Sequence, residues 1–163
     1  MIDVALSIPL LTYVTFMGAA LLLYLTPGAD MMFTIASGMR GGAQAGVAAA
    51  AGISLGVLSH VGIAAAGLAV LLLAYPLAYD AIRYAGAAYL AWLAWKSWND
   101  ATPPEARTGR AEMMRAFKRG YLTNILNPKV ALFVLAFLPQ FTAPALGPVH
   151  QQIILLGIVL TIG

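Results

Sequence analysis

From Leu10 to Gly38 the chain reads LLTYVTFMGAALLLYLTPGADMMFTIASG, and Asp30 is its only charged residue. About 20 apolar residues cross a bilayer as a helix, so this stretch reads as a membrane span. Thr26-Pro27-Gly28 interrupts it, and apolar sequence resumes through Met31-Met32-Phe33. Further along, Gly120 to Leu138 reads GYLTNILNPKVALFVLAFL and is interrupted in the same way at Asn127-Pro128-Lys129. In both places an N-cap residue stands directly before a proline, the order that opens a helix. The two breaks therefore predict half-helices that start inside the membrane.

The rest of the chain has the same character. It has 163 residues, 61% of them hydrophobic and 9% charged, with mean hydropathy +0.85. A soluble domain carries about 25% charged residues, so the predicted fold class is an all-α polytopic membrane protein. Segment one starts near Ser7-Ile8-Pro9 and runs to Gly38, and Arg40-Gly41-Gly42 makes a turn. Segment two, rich in Gly and Ala, runs from Ala43 to Ala74 and closes at Tyr75-Pro76. Segment three covers Leu77 to Trp98, with Trp92, Trp95, Lys96 and Trp98 as interfacial anchors. Asn99 to Arg115 is polar and reads as an exposed loop with a short amphipathic helix before the next span. Segment four is the broken stretch from Gly120, Pro139 to Pro148 form a turn, and segment five begins near Val149.

Six of the nine Lys and Arg lie between Lys96 and Arg119. With Arg40 they make seven on one side of the membrane against Arg83 on the other. That bias puts the 99–116 basic loop in the cytoplasm and the N-terminus outside. Asp30 to Arg40 is ten residues, about 15 Å of helix, and Arg119 to Asn127 is eight, about 12 Å. Both breaks thus fall near mid-bilayer, in segments of opposite direction. A bundle of inverted three-helix repeats, broken in helices one and four, produces this pattern and points to a transport site. The divisions are 1–98 for the first repeat, 99–116 for the loop and 117–163 for an incomplete second repeat. The last is called incomplete because 15 residues from Val149 to Gly163 make roughly 22 Å of helix, short of the roughly 30 Å hydrocarbon core.

The polar residues at the breaks are the candidate site: Pro27, Gly28 and Asp30 at the first, and Asn124, Asn127, Pro128 and Lys129 at the second. An ion at mid-bilayer costs roughly 2.5–3.5 kcal/mol on insertion scales. Asp30 is favoured by the dipole of a helix N-terminus, whereas Lys129 opposes it or else snorkels to the interface. The pair is expected to face one cavity, either joined to each other or meeting the two charges of a zwitterionic substrate. His60, deep in segment two, is a candidate proton relay or a packing histidine. Asp80 and Arg83 read as a local ion pair. Gly42/Gly46 and Gly52/Gly56 have the spacing that lets helix backbones approach closely. It suits a homodimer seam and packing within one bundle equally.

The chain has no cysteine, and its two histidines are far apart. No metal site, cofactor or catalytic constellation is expected, and nucleic acid is not an expected partner. The first charge is Asp3 with no basic residue before it, which does not read as a signal peptide.

Leu25-Thr26-Pro27-Gly28-Ala29-Asp30 before an apolar helix resembles the opening of LysE/RhtB-type amino-acid exporters. Gly86-Ala87-Ala88-Tyr89-Leu90, the stretch Gly120 to Lys129, and Phe137-Leu138-Pro139-Gln140-Phe141 are similar to later signatures of that family. The resemblance covers essentially the whole chain and implies a bacterial inner-membrane exporter of six helices. It implies efflux of amino acids or related small metabolites, coupled to a proton or sodium gradient. Family members usually carry a second proline where this chain has Ala29, and usually continue for roughly another helix and a half. The competing expectations are a same-fold exporter of a cation or toxic small molecule, and a non-transporting membrane scaffold or truncated remnant.

Overall fold

The computed structural model describes residues 1–67 and 109–162, together with Leu77, Tyr84, Ala88 and Trp95. Segment three, the Asp80/Arg83 pair and the polar stretch up to 108 otherwise lie outside the described residues. Among the described residues every regular element is helical. They are α1 (Ile2–Ser7), α2 (Leu10–Leu25), α3 (Ala29–Ala65), α4 (Arg110–Ile125), α5 (Pro128–Leu132) and α6 (Val149–Ile162). α5 runs on through a π-helical turn (Phe133–Phe137) and a 3-10 turn (Leu138–Phe141), and a second 3-10 turn (Pro144–Leu146) precedes α6.

α3 is not one rod. At Gly42 the backbone adopts φ 75° and ψ −179°, which is not helical. A Cβ placed on Gly46 would lie 3.3 Å from the Cα of Gly38, although eight residues of straight helix span about 12 Å. The chain therefore folds back at the expected Arg40-Gly41-Gly42 turn, giving arms 29–41 and 43–65. The second arm is about 34 Å long, enough to cross a bilayer on its own. Among the described residues, the other stretch that qualifies is α4 taken with Pro128–Phe141 as one broken span. The second arm ends earlier than the apolar pattern suggests. Its helix closes at Ala65, and Gly67 takes φ 77° with its amide bonded to the Ala64 carbonyl at 3.0 Å. A left-handed residue at that place ends a helix, and glycine adopts it without steric cost.

The span expected from Gly120 begins earlier, because α4 runs unbroken from Arg110. The basic residues Arg110, Arg115, Lys118 and Arg119 thus stand on the first turns of the helix that carries Asn124.

The chain divides into two compact units that alternate along the sequence. One holds Met1–Pro27, Val57–Pro76 and Lys129–Gly163, and the other holds Gly28–Gly56 and Leu77–Pro128. Two of the transitions, Pro27 to Gly28 and Pro128 to Lys129, fall on the two helix breaks.

In the first unit, Phe16, Val134, Leu138 and Leu156 are fully buried. The Phe16 ring meets Phe141 edge-on at 5.3 Å and lies 6.1 Å from Phe133. Phe133, Phe137 and Phe141 follow one another at 5.1 Å along one side of the π and 3-10 turns. Gln152, fully buried, accepts from the Ala143 amide at 3.0 Å and donates to the Ala143 and Gly147 carbonyls at 2.8 Å. One amide side chain thereby satisfies the backbone of the turn before α6. Outward, α2 presents Leu10, Leu11, Val14, Leu21, Leu22 and Leu25, all more than half exposed. A continuous apolar stripe of that kind suits lipid and not water.

The second unit packs backbone against backbone. A Cβ on Gly52 would sit 2.1 Å from the Phe117 carbonyl oxygen, and one on Gly120 would sit 2.4 Å from that of Ala49. Ala45, Ala49 and Ala116 fill the rest of this seam. Near its end a Cβ on Gly56 would meet Asn124 Oδ1 at 2.5 Å, and that residue's Cβ at 2.8 Å. Gly52 and Gly56 thus serve packing within one chain, and Gly42 and Gly46 serve the hairpin. Small residues at this spacing let transmembrane helices approach closely.

Gly52→Ala is expected to destabilise the detergent-solubilised protein by about 1–3 kcal/mol, as overpacking does. Gly62→Ala, whose Cβ would meet nothing within 4 Å, should leave the protein unchanged or slightly more stable. Thermal unfolding followed by size-exclusion chromatography reads both. A double-mutant cycle of Gly56→Ala with Asn124→Gly should give a coupling of about 1–2 kcal/mol, because the second change removes the atoms that the first collides with.

Candidate functional site

The two breaks are built differently, although their sequences match. At the first, Thr26 does not cap the following helix. Its amide donates to the Leu22 carbonyl at 3.1 Å and its hydroxyl to the same oxygen at 2.6 Å, so it closes α2. Pro27 holds the residue before it extended, at ψ 113°. The next helix starts at Ala29, and the Gly28 carbonyl accepts its first bond, from Met32 at 3.1 Å. The expected cap at Thr26 is therefore moved to Gly28. At the second break, α4 ends at Ile125 and α5 opens at Pro128, with Asn127 in the N-cap position as expected.

Asp30 lies in the first turn of α3, where a carboxylate meets the positive end of the helix dipole. Its Oδ2 accepts a hydrogen bond of 2.8 Å from Nδ2 of Asn124, a fully buried residue of α4. Lys129 lies in the first turn of α5, where the local dipole opposes it. Its Nζ donates to the Thr26 carbonyl at 2.6 Å. That oxygen belongs to the C-terminal end of α2, the negative end of a helix. Each charge thus sits on a helix end of opposite sign, and each contact joins residues from opposite breaks.

Asn127 is 5% exposed beside the Asn124 contact, and Pro27 and Gly28 line the first break with partly open surfaces. His60 is buried at 4% on arm 43–65, within the first unit. Sequence reasoning missed two contributors, the Thr26 carbonyl and Gly56. Every residue carries a carbonyl, so no side-chain pattern marks Thr26. Gly56 belongs to a spacing motif that the sequence shows, but only the packed helices reveal that Asn124 is what it touches.

The model of the LysE type translocator family matches residues 21–163. A homoserine/homoserine lactone efflux protein of Salmonella typhimurium is 32% identical over 136 residues, covering 82% of this chain and 66% of the relative. A leucine efflux protein of Salmonella choleraesuis is 31% identical over 143 residues, covering 84% and 68%. An uncharacterized membrane protein of Vibrio cholerae is 30% identical over 148 residues, covering 90% and 72%. No solved structure matches. The matched residues contain both breaks and the three side chains and one carbonyl that join them, and the chain belongs to the LysE type translocator family, as a membrane transporter and not an enzyme.

Proposed function

We propose that the chain exports amino acids, or small metabolites carrying the same two charges, across the bacterial inner membrane. The observation that carries this is the Asn124–Asp30 hydrogen bond of 2.8 Å, taken with the Lys129–Thr26 bond of 2.6 Å. In each, one partner is charged and the other neutral. A substrate ammonium replaces the Asn124 amide on Asp30, and a substrate carboxylate replaces the Thr26 carbonyl on Lys129. Both exchanges turn an ion–dipole contact into an ion–ion one, which is stronger where water is scarce. Neither residue is left without a partner when the substrate departs, so release costs little. The efflux names of the two Salmonella relatives, for homoserine or its lactone and for leucine, support this substrate class.

Transport proceeds by alternating access of two inverted repeats, with the backbone at Pro27–Gly28 and Asn127–Pro128 taking up the change. The N-terminus lies outside and the 99–116 loop lies in the cytoplasm. A proton or sodium gradient supplies the driving force, and His60 is the candidate relay if the ion is a proton. The small-molecule substrate and the coupling ion are the partners required, within the lipid bilayer.

Inverted membrane vesicles given labelled amino acids, with and without an imposed proton or sodium gradient, test this. Wild-type protein should accumulate at least one amino acid in a gradient-dependent way. Asp30→Asn and Lys129→Met should each lower the initial rate by about tenfold or more at unchanged protein level. Wild-type rates in both variants would overturn the assigned site. The absence of gradient-dependent accumulation of every amino acid in the wild type would overturn the substrate class.

A further inference from the structure

We propose that the second unit carries a binding site for the headgroup of an anionic phospholipid, separate from the residues at the helix breaks. Arg40, at the turn of the α3 hairpin, and Arg115 and Arg119, on the first turns of α4, line a common recess. Ser37 adds a hydroxyl to it, Phe33 lines its apolar side, and Glu112 is its one carboxylate. Three arginines against one glutamate leave a formal charge of +2. Glu112 is 3.6 Å from Arg115, its neighbour one turn on. Among the described residues Arg40 and Arg119 have no carboxylate within salt-bridge distance.

Arginines are common at the cytoplasmic ends of spans because they set orientation, and that role needs only their presence in a loop. It does not need them to converge. Here arginines from two helices line one recess, and the planar fork of arginine matches a phosphate oxygen pair. A basic pocket between membrane helices on this side is suited to lipid phosphate.

The surroundings distinguish a lipid from a free anion. Ile35 and Met39 on arm 29–41, and Met113 and Met114 on α4, are exposed apolar side chains beside the same residues. Met39, next to Arg40, is 83% exposed. A ligand with a phosphate head and acyl chains uses both the cations and this apolar surface. Inorganic phosphate or a soluble phosphate ester uses only the cations.

The test is retention of lipid by the purified full chain, read by native mass spectrometry and by thermal stability in detergent. Phosphatidylglycerol should be retained and should raise the unfolding temperature, while phosphatidylcholine at the same concentration should do neither. The double variant R40Q/R119Q should weaken phosphatidylglycerol binding about tenfold or more. Lys118→Gln, which removes a cation of the same helix outside the recess, should leave binding unchanged. Undiminished binding in R40Q/R119Q would overturn the site, and so would an equal loss in Lys118→Gln. An equal stabilisation by soluble glycerol phosphate would overturn the lipid assignment. These readouts need no transport, so they stand apart from the identity of the exported solute.

Discussion

An ionised side chain in an apolar stretch has to find compensating charge in the protein itself, and the arrangement of both helix breaks follows from that constraint. Breaking a helix exposes backbone amides at one end and carbonyls at the other, each carrying about half an elementary charge. Asp30 uses the amide end of its own half-helix, with Asn124 as a further donor. Lys129 cannot use the end on which it stands, and reaches the carbonyl of Thr26 instead. The breaks therefore do two things at once. They leave backbone amides and carbonyls without intrahelical partners, and those groups in turn help to make the two charges tolerable.

Close helix packing is what lets the first contact form. Asn124 has a short side chain, so its helix has to approach the hairpin within backbone contact distance. Gly52, Gly56 and Gly120 permit that approach, and the alanines at 45, 49 and 116 continue it. Larger residues at these places would hold α4 away and leave the Asn124 amide short of the carboxylate. The Asn124–Asp30 contact thus depends on residues with no chemistry of their own.

Much of this was legible in the sequence, and the limits have physical causes. The breaks, the hairpin turn at Gly42 and the candidate polar residues all show, because proline, glycine and charge in an apolar run carry strong local signals. The matched order Thr26-Pro27 and Asn127-Pro128 misled on one point, since the same tripeptide logic closes α2 at the first break and opens α5 at the second. What decides between them is whether the residue before proline still completes the preceding helix. Thr26 does so through both its amide and its hydroxyl. Arm 43–65 ends at Gly67 although apolar sequence continues, because hydropathy records membrane depth and does not record backbone conformation. The Lys129 partner was out of reach for a similar reason, being a backbone atom selected by tertiary structure.

The two charges also differ in how firmly the fold holds them. Asp30 is anchored by a helix end formed from its own segment and by Asn124, whose position is fixed by Gly56 on one side and by full burial. Lys129 reaches the Thr26 carbonyl, at a helix terminus, through a flexible four-carbon stem. The carboxylate is thus a preorganised acceptor and the ammonium an adaptable donor.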